Sequence, residues 1–366
     1  METHYSPEQE AFRDSVRRCL EDLGGPGFTR AQWNAASGTN DEAWQALTAL
    51  GIPGLLVPES AGGVGGDMSD MGVVMEETGR TVHSSPVLAS AVGGVSAAAA
   101  FGVTEVLEAL ACGEARACIA LQDAGQIARD WRATDVQVND HRISGRKVQV
   151  PDALDADYFF VTTARGAYLV RRDEPGVSIE AEECLDGTHR FATVHLDAAS
   201  GVHLGDNAEL ANSIDRVLVA ISADGIGAAE RTLEMTVAYA SERQQFGQAI
   251  GAFQAVQHLC ADMLQQLELG RAGLHYALWA VDHADEAEGH RAAVMCKAYV
   301  ADVLPKLGAS AIQVFGGAGF TWEYDIQLYY KRLLSTQMTL GCAQTWLEEL
   351  ATLVIDQEAP PIVPEH

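Results

Sequence analysis

The stretch SERQQFGQAIGAFQAVQH, Ser241–His258, mixes an arginine, a phenylalanine and several glutamines with apolar residues. The apolar residues recur at helical spacing, which predicts a helix with one buried face. Gly247 and Gly251 lie one helical turn apart, although each glycine costs a helix about 1 kcal/mol relative to alanine. We therefore expect another group to approach this face closely.

Arg243 and Phe246 in this stretch allow two interpretations. In the first, the helix packs tightly against its neighbours and Arg243 pairs with a surface carboxylate. In the second, the helix borders a groove where the guanidinium holds a phosphate through paired hydrogen bonds while Phe246 covers an apolar ring. The stretch by itself leaves both interpretations open.

A second distinctive segment is AIQVFGGAGFTWEYDIQLYYKRL, Ala311–Leu333. Gln313 offers an amide, and Gly316, Gly317 and Gly319 let a ligand approach backbone N–H groups closely. The structural alternative is a glycine turn covered by the neighbouring aromatic residues. Together, the two segments indicate a ligand site more specifically than either one alone.

Composition indicates a globular protein. The 366 residues suffice for a sizeable core, and 48% of them are hydrophobic against 20% charged. No apolar run reaches the ~20 residues of a membrane helix, and the first residues lack the basic and apolar regions of a signal peptide. We expect a cytoplasmic protein without a membrane span.

Several classes of function have no support. A net charge of −27 would repel nucleic acid, and an anionic ligand would need locally clustered arginine or lysine. Seven scattered cysteines without a Cys-x-x-Cys pair argue against disulfides and zinc, and the dispersed histidines predict no metal site. The Gly-x-Ser-x-Gly motif of serine hydrolases is missing.

The patterning changes twice along the chain. Helical spacing runs from Pro7 to about Cys112 and returns from Asp206 to about Asp356. Between them lie short β-rich runs whose connections are too short for the helical crossovers of a parallel sheet. We predict an α+β protein with a helical N-terminal domain (1–115), a small antiparallel β domain (116–205) and a C-terminal four-helix bundle (206–366).

Four segments resemble the acyl-CoA dehydrogenase family. They are RQQFGQAIGAFQAVQHLCADM (Arg243–Met263), AIQVFGGAGFTWEY (Ala311–Tyr324), GIPGLLVPESAGGVGGD (Gly51–Asp67) and MEETGR (Met75–Arg80). The resemblance covers essentially the whole chain and matches the helix–β–helix order. It implies FAD as cofactor, a CoA thioester as substrate, and removal of one hydrogen each from Cα and Cβ.

In this family a carboxylate takes the α-proton and the flavin takes the β-hydride. A neighbouring subunit holds the adenosine-diphosphate half of each flavin through an Arg-x-x-Phe helix and a Gln-x-x-x-Gly turn. By resemblance, the groups that hold it here are Arg243, Phe246, Gln254, Gln313, Gly316 and Gly317.

The chain departs from the family where the flavin ring and the thioester bind. LQDAGQIARDW, Leu121–Trp131, stands where members have Thr-Glu-Pro and Gly-Ser-Asp. In the family's Lys-x-Trp-Ile-Thr, Gln149 replaces the tryptophan and Pro151 the threonine. Because proline offers neither a hydroxyl nor an N–H, this half of the site looks degraded.

The catalytic carboxylate also departs from the family pattern. Leu340, in TLGCAQ, occupies the place of the usual glutamate, and Val217 or Leu218 occupies an alternative place used by some members. Asp215 is the nearest candidate base and Asp224 a weaker one. The catalytic residue is otherwise unknown.

Three functions are compatible with this pattern. The first is the base-lacking subunit of a heterotetrameric, steroid-CoA type acyl-CoA dehydrogenase, whose homologous partner supplies the glutamate and whose electrons pass to an acceptor protein. The second is a self-sufficient homotetramer that uses an atypical carboxylate such as Asp215. The third is a flavin-free scaffold or acyl-CoA-binding protein.

Overall fold

The N-terminal part of the chain is helical. In the computed structural model, the described residues are 4–33, 35, 40–140 and 142–356. The α-helices of this part are α1 (Pro7–Asp22), α2 (Pro26–Gln32), α3 (Asp41–Ala49), α4 (Met68–Arg80), α5 (Val95–Ala100) and α6 (Thr104–Ala111). A buried π-helical segment, Val87–Gly94, leads directly into α5.

Local sequence explains where these helices begin. Ser6 caps α1 in a capping box with Gln9, and Asp67 caps α4 in the same way with Asp70. Side-chain oxygens there satisfy N–H groups that a helix start leaves without partners. The two helices are then joined by a half-buried ion pair of 2.7 Å between Arg17 and Glu77.

Two four-stranded sheets form the middle of the chain. Their strands are β1 (Ala117–Ala120), β2 (Gln137–Asn139), β3 (Arg142–Pro151), β4 (Tyr158–Thr163), β5 (Gly166–Arg171), β6 (Val177–Ala181), β7 (Phe191–Ser200) and β8 (Val202–Gly205). The strand orders are β1-β4-β5-β8 and β2-β3-β7-β6. The pairs are antiparallel except β1 with β4, a parallel pair that the sequence pattern did not predict.

The C-terminal part is a bundle of long helices, as predicted. Its helices are α7 (Ala211–Glu242), α8 (Gln254–His283), α9 (Glu286–Phe315), α10 (Ile326–Met338) and the shorter α11 (Ala343–Ala351). Most of α9 is buried, with α7, α8 and α10 packed around it. The predicted α+β fold, with helices on both sides of a small β domain, is confirmed.

The predicted helix over Ser241–His258 is wrong between Arg243 and Phe253, although both ends of the segment are helical. Helix α7 ends at Glu242, and a short hairpin follows with strands β9 (Gln244–Gln245) and β10 (Gln248–Ala249). Both turn residues, Phe246 and Gly247, have positive φ values of 52° and 81°. Two positive φ values are typical of the type I′ turn that joins tightly paired strands, and they are incompatible with an α-helix.

A buried ion pair ties the three parts together. Arg332 of α10 donates to the Asp224 carboxylate on α7 at 2.7 and 2.8 Å, to the Thr188 carbonyl at 3.0 Å and to the His83 carbonyl at 3.3 Å. These partners belong to the bundle, the β region and the N-terminal helices. Among the described residues, no helix is long and apolar enough to cross a membrane.

Candidate functional site

The tip of the β9–β10 hairpin presents the residues that the resemblance assigned to a phosphate and a ring. Arg243 is exposed at the start of the hairpin, and no ion pair within the described ranges involves its guanidinium. Phe246 is 92% exposed at the turn. Gln254, the first residue of α8, is also exposed. The interpretation in which Arg243 pairs with a surface carboxylate therefore has no support from the structure.

The glycine turn lies at the end of α9. Gln313, Gly316 and Gly317 are exposed, and Gly316 has φ 60° and ψ −140°, a combination that strongly favours glycine. A Cβ atom added at Gly316 or Gly317 would meet no other atom of the described chain within 4 Å. The turn therefore leaves open space beside its backbone.

An aromatic cluster joins the hairpin to the glycine turn. Tyr239, near the end of α7, stacks on Phe315, the last residue of α9, with ring centroids 4.1 Å apart. Tyr324 meets both rings edge-on at 5.6 and 5.5 Å. Because the Arg243 N–H donates to the Tyr239 carbonyl at 2.9 Å and Gly316 follows Phe315 directly, the two sequence segments form one surface.

The two glycines of the hairpin segment have different roles. A Cβ at Gly251 would lie 3.0 Å from the Ala240 carbonyl oxygen, so the backbone does approach closely there, as expected. Gly247 has no such neighbour within 4 Å, and its positive φ supports the turn instead. The expected close approach thus holds for one glycine of the pair.

The positions expected to hold a flavin ring border a cavity of about 240 Å³ between the β region and α10. Gln149 and Gln122 both line it. Gln149 has φ 52°, and its N–H already donates to the Glu182 carboxylate at 2.8 Å, which also accepts from the Thr193 hydroxyl at 2.8 Å. With Pro151 lacking an N–H, two backbone donors of this strand are unavailable to a ligand.

A buried lysine fixes the segment that replaces the family's ring-binding motif. Lys147 donates to the Leu121 carbonyl at 2.8 Å, to the Asp123 carboxylate at 2.6 Å and to the Thr162 hydroxyl at 2.8 Å. Burial lowers the pKa of Lys147 to about 8. This residue has a structural role that the sequence pattern did not reveal, because its partners are distant in sequence.

The two base positions of the family meet in one small apolar cavity. Leu340 and Val217 both line this space of about 30 Å³, beside Leu88, Ile119 and Pro151. No carboxylate from the described part of the chain lines it. The structure therefore brings the two expected base positions together and places an apolar side chain at each.

The candidate bases Asp215 and Asp224 lie elsewhere. Asp215 borders a separate cavity of about 20 Å³ and contacts His290 Nδ1 at 2.8 Å. The hydrogen bond with Asp215 raises the pKa of His290, and burial raises the pKa of Asp215. Asp224 is occupied by the ion pair with Arg332 described above. Neither carboxylate faces the apolar cavity.

The structure also gathers a serine, a histidine and an aspartate that the sequence did not connect. His189 Nδ1 lies 2.9 Å from the Ser335 hydroxyl and 3.1 Å from Asp186 Oδ2. The serine and the aspartate both contact Nδ1. In a proton relay, the serine would contact one ring nitrogen and the aspartate the other. The cluster therefore lacks the geometry of a hydrolase triad.

Comparisons with known proteins agree with this architecture. Models of the acyl-CoA dehydrogenase N-terminal and C-terminal domains match residues 6–110 and 211–354. Acyl-CoA dehydrogenase IpdE2 of Mycolicibacterium smegmatis is 30% identical over 346 residues, which cover 94% of this chain and 98% of that protein. The chain belongs to the acyl-CoA dehydrogenase family. Members of this family are FAD-dependent oxidoreductases that act on the CH–CH bond of an acyl-CoA.

Solved acyl-CoA dehydrogenase structures have the same fold. A variant of the Tcur3481–Tcur3483 steroid ACAD superposes with a TM-score of 0.89 at 29% identity, covering 96% of this chain and 99% of that chain. The ChsE4–ChsE5 complex from Mycobacterium tuberculosis gives a TM-score of 0.88 at 24% identity, covering 98% and 100%. At 24% identity, the likeness to the ChsE4–ChsE5 complex bears on the fold alone.

The two halves of the FAD site differ in how well this acyl-CoA dehydrogenase chain fits them. The exposed guanidinium of Arg243 and the open backbone at Gly316 and Gly317 suit the diphosphate end of the cofactor. The ring end fits poorly, because Glu182 occupies the Gln149 N–H and Pro151 has none.

Proposed function

We propose that this chain is the base-lacking subunit of a hetero-oligomeric, FAD-dependent acyl-CoA dehydrogenase. Its residues Arg243, Phe246, Gln254, Gln313, Gly316 and Gly317 would hold the adenosine-diphosphate half of an FAD. A homologous partner would hold the flavin ring and the thioester and would supply the catalytic glutamate. The domain limits 1–115, 116–205 and 206–366 are part of the proposal.

One observation carries the proposal. Leu340 and Val217 converge on one apolar cavity without a carboxylate, so this chain has no group positioned there to remove an α-proton. The exposed surface around Arg243 and Gly316 is nevertheless fully formed. Loss of the base and retention of this surface are both expected if the two halves of the site lie in different chains.

The residues of this chain would then bind and orient the cofactor rather than react. Arg243 would neutralise a phosphate, and the Gly317 N–H would donate to a diphosphate oxygen, whereas the Gly316 N–H already donates to the Ile312 carbonyl. The chemistry that FAD supplies in this family is acceptance of the β-hydride. We further propose a cytoplasmic complex that passes its electrons to an acceptor protein.

The proposal also includes a substrate class. The Tcur3481–Tcur3483 protein is named a steroid ACAD, and it is 29% identical to this chain. This likeness supports a CoA thioester with a bulky, steroid-derived acyl group, bound in the partner's cleft.

The decisive experiment measures flavin per chain together with mass in solution. We expect the purified chain to be colourless and inactive, and the complex with a co-encoded homologue to contain one flavin for every two chains. One flavin per chain in the lone protein, with reduction of an electron acceptor by an acyl-CoA, would show a self-sufficient enzyme instead.

A substitution tests the half-site directly. Arg243→Ala should weaken FAD binding by the complex at least tenfold, and so lower its flavin content after dialysis, because a charge-assisted phosphate contact contributes roughly 1.5 to 3 kcal/mol. Arg231→Ala is the matched control, since Arg231 is a half-exposed arginine on α7 that pairs with Glu234. Unchanged flavin content in the Arg243 variant would favour the flavin-free scaffold.

Asp215→Asn tests the self-sufficient alternative. If Asp215 is the base, the substitution abolishes turnover by the lone chain. We expect turnover by the complex to be retained, because Asp215 contacts His290 outside the apolar cavity.

A further inference from the structure

The cavity of about 240 Å³ in this chain's own cleft has one apolar wall and one polar wall. The apolar wall is formed by Leu185, Phe191, Leu334, Met338 and Leu340. Leu185 and Met338 are 70% and 63% exposed, so the cavity has an apolar rim that a ligand would remove from water. Apolar walls with a few polar groups are typical of small-molecule sites.

The polar wall offers groups that suit an uncharged oxygen. Gln122, Gln149, Ser335 and Thr339 line it. The Ser335 hydroxyl is oriented by its 2.9 Å contact with His189 Nδ1. Amide and hydroxyl groups both donate and accept hydrogen bonds, so they can pair with a ligand hydroxyl or carbonyl.

The charges around the cavity disfavour an anion. Glu182 and Asp186 are its carboxylates and Lys331 its cation. The Lys331 ammonium lies 4.8 Å from the Trp33 ring centroid and 5.3 Å from that of Trp322, and it donates to Gln327 at 3.2 Å. Lys331 is therefore held by two aromatic rings. Glu182 and Asp186 also have partners, the Gln149 N–H and the Thr188 N–H, but two carboxylates in the lining still outnumber one ammonium.

We propose that this cleft binds a neutral, largely apolar molecule that carries a hydroxyl or carbonyl group. This inference rests on the proposed function, because it requires that no flavin ring fills the cleft of this chain. The Gln149 N–H that a flavin ring would need is occupied by Glu182, while the apolar wall is uncovered and the Ser335 hydroxyl can still make hydrogen bonds beyond its contact with His189. The cleft would thus serve as a second, non-catalytic ligand site.

The charge argument can be tested with two probes that share one ring system. Calorimetric titration of the purified chain with 2-naphthol and with 2-naphthoate at pH 7 compares a neutral hydroxyl with a carboxylate. We expect 2-naphthol to bind at least tenfold more tightly, which corresponds to about 1.4 kcal/mol. Equal affinity for both probes, or binding of neither, would overturn the inference.

Two substitutions locate the binding and test its cause. Leu334→Trp fills the cavity and should weaken 2-naphthol binding at least tenfold, whereas Leu347→Trp on the exposed side of α11 should leave it unchanged. Glu182→Gln keeps an acceptor for the Gln149 N–H and removes a negative charge. It should therefore reduce the difference in affinity between 2-naphthol and 2-naphthoate. Circular dichroism confirms that each variant is folded.

The inference and the proposed function fail in different ways. Lumiflavin binding that is lost in Leu334→Trp would show a retained ring site and overturn the inference. The flavin content of the complex is measured separately. One flavin for every two chains, without 2-naphthol binding, would reject the second site and leave the proposed function standing.

Discussion

At the scale of single residues, the proposal that this chain holds only part of a dehydrogenase site depends on a few side chains. Leu340 and Val217 make both base positions apolar, and Pro151 removes a hydrogen-bond donor. Arg243, in contrast, keeps its charge exposed and without an ion pair within the described ranges. Under the proposed function, these side chains would decide what the chain can do without changing its fold.

Restoring a carboxylate at residue 340 should not restore activity. Leu340→Glu is expected to leave the lone chain inactive with an acyl-CoA and a dye acceptor, because the ring site is still incomplete. It should also lower the free energy of unfolding by about 1 kcal/mol at pH 8, since residue 340 is partly buried and the apolar cavity beside it offers the new charge no partner. Burial raises the pKa of such a carboxyl, so the cost should vanish below about pH 4.

Urea unfolding at pH 8 and pH 4 measures this cost. The control Leu347→Glu lies on the exposed surface of α11 and should change stability by less than about 0.5 kcal/mol. Dehydrogenation by the lone Leu340→Glu chain would contradict the prediction and show that its cleft binds FAD productively.

The buried side chain of Lys297 should make the stability of the fold depend on pH. It is fully buried in α9, donates to the Thr336 carbonyl, and burial lowers its pKa to about 7. The unfolded chain therefore binds one proton more between about pH 7 and 10, and this residue destabilises the fold most below pH 7. Lys297→Met should raise the free energy of unfolding by about 2 kcal/mol at pH 6, with the gain gone by about pH 10.

Denaturant unfolding over this pH range checks the effect. Lys306→Met is the matched control, because Lys306 lies on the same helix, is 63% exposed and pairs with Asp302. A stability gain from Lys297→Met that is the same at every pH would mean that packing, rather than charge, is responsible.

At the scale of elements, the β9–β10 hairpin carries conformational strain, as do Gln149 and Leu340 in the other half of the candidate site. Phe246 adopts a left-handed backbone conformation at the turn, which costs a non-glycine residue about 1 kcal/mol or more. Its ring is almost completely exposed and lies 6.0 Å edge-on from Phe253. The strain is understandable if the ring covers a ligand that joins the two chains.

Phe246→Asn separates the strain from the binding role. Asparagine tolerates the left-handed turn, so the lone chain should gain about 1 kcal/mol of stability. The complex should lose flavin, because the ring is gone. Thermal unfolding of the chain and the flavin content of the complex are the two measurements. Gly247→Ala should instead destabilise the turn, since its φ is 81°. A Phe246→Asn complex with full flavin content would contradict the proposed role of the ring.

At the scale of the whole molecule, the Arg332–Asp224 pair links the three parts of the chain. Both side chains are about 3% exposed, and the guanidinium also reaches the Thr188 and His83 carbonyls. Burying two charges is costly, and removing one of them leaves the other without compensation. The pair therefore fixes the relative positions of the parts more than it adds net stability.

A double-mutant cycle tests this role. Arg332→Leu should lower the free energy of unfolding by roughly 3 to 5 kcal/mol, and Arg332→Leu with Asp224→Leu should recover part of that loss. Arg231→Leu, at a half-exposed surface pair, should cost less than about 0.5 kcal/mol. Chemical denaturation of the four proteins supplies the energies. A loss below about 1 kcal/mol for Arg332→Leu would show that the pair is dispensable.

The sequence by itself determined the family, the fold and the positions at which this chain differs from other members. These features depend on residue type and on local spacing, which are visible without a structure. The hydrophobic periods predicted helices on both sides of a β region, and the motifs around Arg243 and Gly316 predicted a flavin half-site. The fold and the family are confirmed, whereas the role of these residues in FAD binding stays a prediction.

Only the tertiary structure decided how the site is built. The turn at Phe246 and Gly247 replaced a predicted helix, because two positive φ values outweighed the apolar spacing. The meeting of Leu340 with Val217 and the capture of the Gln149 N–H by Glu182 join residues far apart in sequence. Such contacts arise from packing between elements, and local sequence patterns carry no information about them.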